Sequence, residues 1–81
     1  RQFLRIALSK SYRALGQLER SWAITHEMVN DPEQSHNPLH LSEIFLEQLL
    51  ICDQAEDREN ATAVTRRMEQ ALEGAARAGY A

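Results

Sequence analysis

The chain has 81 residues, enough for one small domain, and a domain of that size buries only about 60% of its unfolded surface. Apolar residues make up 43% and charged residues 26%, with three Gly, two Pro and few β-branched side chains, which favours a helical globular protein over a sheet. The net charge is −3 with Lys and Arg scattered among Asp and Glu, so no basic stripe faces a nucleic-acid partner, and no apolar run approaches the ~20 residues of a membrane span.

The chain begins at Arg1 rather than Met and reads as helix from its first residues, so it is expected to be an excerpt from a longer protein. Cys52 is the single cysteine and sits in an apolar run. It is expected to be a buried small hydrophobe in a reducing, cytoplasmic setting, because a reactive thiol needs an exposed, electropositive site.

The first helix is predicted from Gln2 to Leu15. Phe3, Ile6, Ala7 and Lys10 mark one side, and Leu4, Leu8, Tyr12 and Leu15 another, at spacings of three and four. So wide an apolar surface implies more than one neighbour. Gly16 stops the helix, since it enters the left-handed conformation of a helix end at no steric cost. The second helix is predicted from Leu18 to Asn30, with Leu18, Trp22, Thr25 and Val29 on one stripe, Ser21 and Met28 beside it, and His26 on the exposed side. Two residues between these helices force an antiparallel hairpin.

The polar stretch from Asn30 to His36 contains Pro32 and reads as a loop. Asn37 as N-cap and Pro38 in the first turn then start a third helix, predicted to Ala55. Leu41, Ile44, Phe45, Leu46, Leu49, Leu50, Ile51 and Cys52 cover nearly its whole circumference, the pattern of a buried central helix. After a second tight turn, Asp57 is the expected N-cap of a fourth helix running to about Ala78, with Asn60 in its first turn. Ala61, Val64, Thr65, Met68, Ala71, Leu72 and Ala75 form its apolar stripe; Arg66, Arg67, Glu69, Gln70 and Glu73 form a solvated face, and residues 74–79 are expected to fray. The predicted fold is all-α, a single domain of two stacked antiparallel helix–turn–helix hairpins spanning residues 2–30 and 38–78, joined by a loop over 31–37.

Catalytic chemistry is thin. His36 and His40 stand four apart with Glu43 near, but His36 precedes Pro38, so the spacing is not helical throughout, and structural zinc takes four ligands. Glu43, Glu47, Asp53 and Glu56 are spaced for solvated faces and i,i+4 pairs. No Gly-rich phosphate loop and no paired His and Cys are present. Asn60-Ala61-Thr62 spells a glycosylation sequon, which falls at a helix start and is read as coincidence. The chain is therefore expected to be no enzyme, with no metal and no cofactor.

The two hairpins are related. Tyr12 and Cys52, Gly16 and Glu56, and Ser21 and Ala61 occupy equivalent places, a period of 40 residues. Within the segment from Leu8 to Ser21, an apolar Leu8 precedes a small Ser9, the aromatic Tyr12 follows, then Gly16 at the turn, then the small Ser21 at the helix crossing. This segment resembles a tetratricopeptide repeat. The second unit matches with Phe45, Cys52 and Ala61, but Gln48 stands where an aliphatic is expected and Glu56 replaces the turn glycine. Since the family's usual period is about 34 residues, the loop after Asn30 carries an insertion.

The resemblance implies a protein-interaction module that binds a peptide or a partner helix in a concave groove lined by the first helix of each unit. It implies groove-facing Phe3, Ala7, Lys10 and Arg13 in unit one and Glu43, Leu46, Leu50 and Asp53 in unit two: apolar at the centre, basic on one side, acidic on the other. In the competing reading, Phe3, Leu46 and Leu50 pack on helices outside this segment. The family's clamp for chaperone tails is not implied, because Lys10 stands where that subgroup carries Asn and the second unit offers Leu50. The alternative function is a structural or self-associating segment, a homodimer among its forms, which positions a catalytic or DNA-binding domain elsewhere. In that reading the fourth helix acts as a cap and the first as the open end.

Overall fold

The computed structural model describes residues 2–31, 38–77 and 79, without the side chains of Gln2, Phe3 and Pro38. Four helices follow one another: α1 (Gln2–Ala14), α2 (Leu18–Val29), α3 (Pro38–Ala55) and α4 (Arg58–Arg77). α1 packs on α2 and α3 on α4, forming two hairpins; the hairpins join through α2 and α3, with a smaller contact between α1 and α3. The expected all-α fold of stacked hairpins is what the chain adopts.

The two inter-helix turns are built alike. In the first, the Gly16 N–H donates to the Arg13 carbonyl at 3.0 Å and the Gln17 N–H to the Tyr12 carbonyl at 2.8 Å. In the second, the Glu56 N–H donates to Asp53 at 3.1 Å and the Asp57 N–H to Cys52 at 2.9 Å. Each is a Schellman closure, which satisfies the last carbonyls of a helix through one left-handed residue. That residue is Gly16, at φ 79°, and Glu56, at φ 55°. Donors and acceptors are offset by 40 positions, so the repeat read in the sequence is a repeat of the backbone.

At the crossing of α1 and α2, Ser9 and Ser21 are fully buried. The Ser21 hydroxyl donates to the Ser9 carbonyl at 2.8 Å, the Ser9 hydroxyl to the Ser21 carbonyl at 3.1 Å. Two small side chains let the backbones approach, and their hydroxyls, 2.9 Å apart, are satisfied across the crossing. Asp57 caps α4, its Oδ1 accepting the Asn60 N–H at 3.0 Å and its Oδ2 the Asn60 side-chain amide at 2.8 Å. Arg20 stacks over the Tyr12 ring at 5.7 Å and braces the first turn.

Two apolar clusters form the core. Ile6, Met28 and Ile44 join the hairpins. Leu41, Phe45, Cys52 and Val64 hold α3 to α4, with Trp22 and Val29 of α2 packed against them. α3 is central, as expected, but its apolar surface is not buried all round: Leu39, Leu46 and Leu50 are exposed. Among the described residues, α2, α4 and part of α1 touch α3, which leaves one face uncovered by them. The second stripe of α1 is likewise open at Leu4, Leu8 and Leu15.

Four finer expectations need correction. Leu15 lies in the turn after α1, because Gly16 takes the chain left-handed and the last helical residue is Ala14. α2 ends at Val29, and the Asn30 side chain donates to the His26 carbonyl as a cap. Thr65 and Leu72 are exposed, so the buried stripe of α4 runs through Val64, with Ala61, Met68, Ala71 and Ala75 half-buried. Residues 74–77 remain helical: three of the four helix positions at that end are strong helix formers, and Gly79 at φ 85° terminates the run. Asn37 and Ala78 lie outside the described residues.

Candidate interaction surface

On α3, Glu43, Leu46, Leu50 and Asp53 all face solvent, with Leu46 55% and Leu50 40% exposed. These positions recur at three and four residues, so they form one stripe along the helix. On the neighbouring α1, Ala7 and Lys10 are exposed, and the Phe3 side chain lies outside the described residues. Arg13 is only half-exposed and is already engaged: its Nε donates to the Glu47 carboxylate, and its guanidinium also reaches the Gln54 side chain at 3.5 Å. The Gln54 amide returns a bond to the Arg13 carbonyl at 3.3 Å. Arg13 thus ties α1 to α3.

The sequence reading put Glu47 on a solvated face. It is 2% exposed, because the contact between α1 and α3 closes over it. A buried carboxylate persists as an ion only when paired and hydrogen-bonded, and Arg13 supplies both. The sequence neighbours of Glu47 carry no signal of this, because the burial comes from α1, which arrives from elsewhere in the chain. Gln48 occupies a slot where the repeat pattern expects an aliphatic. It is fully buried, its Nε2 donates to Thr25 Oγ1 at 3.2 Å, and its Oε1 has no hydrogen-bond partner. Thr25 Oγ1 in turn donates to the Trp22 carbonyl at 2.8 Å.

The 40-residue register refines the stripe. Phe3, Lys10 and Arg13 stand at the places of Glu43, Leu50 and Asp53. Ala7 corresponds to Glu47, whereas the counterpart of Leu46 is Ile6, which is buried against Met28 and Ile44. Ala7 is exposed one turn before Lys10, but its counterpart in unit two is buried, so the two units present that position differently.

Charge is divided between the helices. α1 carries Arg5, Lys10 and Arg13 with no acid, and α3 carries Glu43, Glu47 and Asp53 with no Lys or Arg. Arg13 and Glu47 neutralise each other at the seam. Arg5 reaches Asp31 at 3.4 Å and Glu27 at 3.6 Å, tying α1 to the end of α2. What remains toward solvent is an apolar pair, Leu46 and Leu50, bracketed by Glu43 and Asp53, with Lys10 on the adjoining helix.

A cleft of about 240 Å³ opens near the turns, lined by Leu18, Trp22, Ile51, Cys52 and Ala55. A second, more polar depression of about 410 Å³ adjoins it, lined by Leu49, Cys52, Asp53, Glu56 and Arg58. Cys52 is buried there as expected, and its thiol is raised above its ordinary value, first by burial and then by the Asp57 charge. Among the described residues, no three or more His, Cys, Asp or Glu side chains gather as a metal site, and no helix is long and apolar enough to cross a membrane. His36 lies outside the described residues; His40 is exposed. Compared with protein-family models, curated proteins and solved structures, the chain matches none.

Proposed function

We propose that this chain is a protein-interaction module whose exposed α3 stripe, with the adjoining part of α1, binds a peptide or a partner helix. The observation that carries the reading is the pair Leu46 and Leu50, two large apolar side chains left in water on the most central helix of the fold. Hairpins stacked in register align their first helices side by side, and the ledge between them suits an extended or helical ligand. Apolar anchors on the ligand would meet the leucines; its charges would meet Lys10 on one flank and Glu43 and Asp53 on the other. The tetratricopeptide-like reading is supported by the left-handed turn residues and the small-residue crossing, both in the order that family uses.

A displayed peptide library tests this. Peptides enriched on the parent chain are expected to lose at least about tenfold in affinity on Leu50→Asp, roughly 1.4 kcal/mol, and to keep their affinity on Leu72→Asp, a leucine on α4. Enriched peptides indifferent to Leu46→Asp and Leu50→Asp would sink the proposal.

One observation favours the second reading, a structural segment. Leu46 stands at the register position of Ile6, which the next hairpin covers. Leu50 carries no such ambiguity, because its counterpart Lys10 is exposed. Leu50 is therefore the discriminating residue.

A further inference from the structure

The 40-residue register allows each face of one hairpin to be compared with the same face of the other. On α3, the side turned toward hairpin one presents Ile44, Glu47, Gln48 and Ile51, all buried. Ile44 packs on Met28, and Gln48 bonds Thr25, both on α2. Their counterparts on α1 are Leu4, Ala7, Leu8 and Ser11, all exposed, with Leu4 at 67% and Leu8 at 48%. The same side of the repeat is thus an interface in one unit and open in the other. In the open unit it is more apolar: Leu8 stands in place of Gln48 and Ala7 in place of Glu47.

The opposite side behaves the other way. α2 covers hairpin two with Trp22, Thr25, Met28 and Val29. Their counterparts on α4 are Thr62, Thr65, Met68 and Glu69, of which only Met68 is large and apolar, and it is half-buried already. Loss of Trp and Val to Thr and Glu removes most of the area that would repeat the packing. The molecule is apolar at its α1 end and polar at its α4 end.

We propose that the outer face of α1 is the docking site for the second helix of another hairpin of this 40-residue type, seated on Leu4 and Leu8 as α2 is seated on Ile44 and Gln48. Continuity with the α2–α3 interface defines the occupant: a helix with large apolar residues at spacings of three and four, arriving antiparallel to its own first helix. A second copy of the chain fits less well by this packing. Its end that would play the part of α2 is α4, with Thr62, Thr65 and Glu69 outward, and α1 against α1 brings together two helices that carry only positive charge.

The test is a tandem chain in which an extra copy of residues 1–40 precedes residues 1–81, so that the register is kept. It is expected to unfold in one cooperative transition, with a midpoint about 5 °C or more above that of the parent. Leu4→Glu with Leu8→Glu, placed at the junction, should erase the rise, and the same pair in the parent should leave its midpoint in place. Two separate transitions, or an unchanged midpoint, would overturn the proposal; so would unfolding of the parent by the double substitution, which would make those leucines core. Light scattering on the parent covers the remaining occupant: a dimer that Leu4→Glu and Leu8→Glu dissolve would assign the face to a second copy and overturn the hairpin, and a monomer of 9.3 kDa supports it.

Discussion

Glu56 holds a left-handed backbone, φ 55°, in a place where its counterpart is Gly16. A side chain there costs about 1–2 kcal/mol, because Cβ crowds the following carbonyl. Glu56→Gly is accordingly expected to stabilise the fold by about 1 kcal/mol, read as a rise of roughly 4–8 °C in midpoint. Gly16→Ala should lower it by a similar amount. A Cβ at Gly16 meets nothing within 4 Å, so its whole cost is conformational. This pair also shows what the sequence displays openly. The turn at Gly16 and the cap at Asp57 are legible because each residue type acts on its own backbone. Glu47 and Gln48 are not, because their burial depends on α1 and α2 arriving from elsewhere in the chain. Removing the Arg13 guanidinium should show this dependence. Arg13→Ala leaves a buried carboxylate unpaired and is expected to cost on the order of 3 kcal/mol, while Arg13→Met with Glu47→Leu should restore most of it. Equal destabilisation by both variants, in a chemical denaturation series, would mean the pair is not what closes that seam.

Among the elements, α3 decides the architecture, since it touches the other three helices and still keeps one stripe in water. Its apolar residues were legible as a run, but a run apolar all round does not say which side stays open; that follows only from where the partners stop. Within its buried side, Gln48 Oε1 lacks a partner, and a buried unsatisfied acceptor costs about 1–3 kcal/mol. Gln48→Met keeps the volume and strands nothing, because Thr25 retains its bond to the Trp22 carbonyl. The expected result is a gain of about 1 kcal/mol in unfolding free energy, read as a higher denaturant midpoint at unchanged slope; a loss would mean the Gln48–Thr25 bond outweighs the orphaned oxygen. At the other crossing, Ser21→Leu should cost about 1–3 kcal/mol by overpacking a site where two backbones meet. An unchanged melting temperature would contradict the close approach of α1 and α2.

For the molecule as a whole, the two hairpins make a small core with unlike ends and an exposed apolar ledge on α3. Cys52 reports on the integrity of that core, because it lies between Trp22, Phe45 and Val64. Its thiol is held neutral above the ordinary range by burial and by Asp57, so reaction with a thiol reagent at mildly alkaline pH should be slow in the folded chain and fast once denaturant is added. Fast reaction without denaturant would mean the core opens. The functional proposal rests on one premise, that Leu50 serves no purpose in holding the fold together. The most direct measurement is the thermal unfolding of Leu50→Gln, which keeps a good helix former of similar length. The account predicts a stability within about 0.5 kcal/mol of the parent, as for a solvent-facing position. A loss of about 2 kcal/mol or more, the range for a core leucine, would contradict it and turn the ledge into part of a larger core.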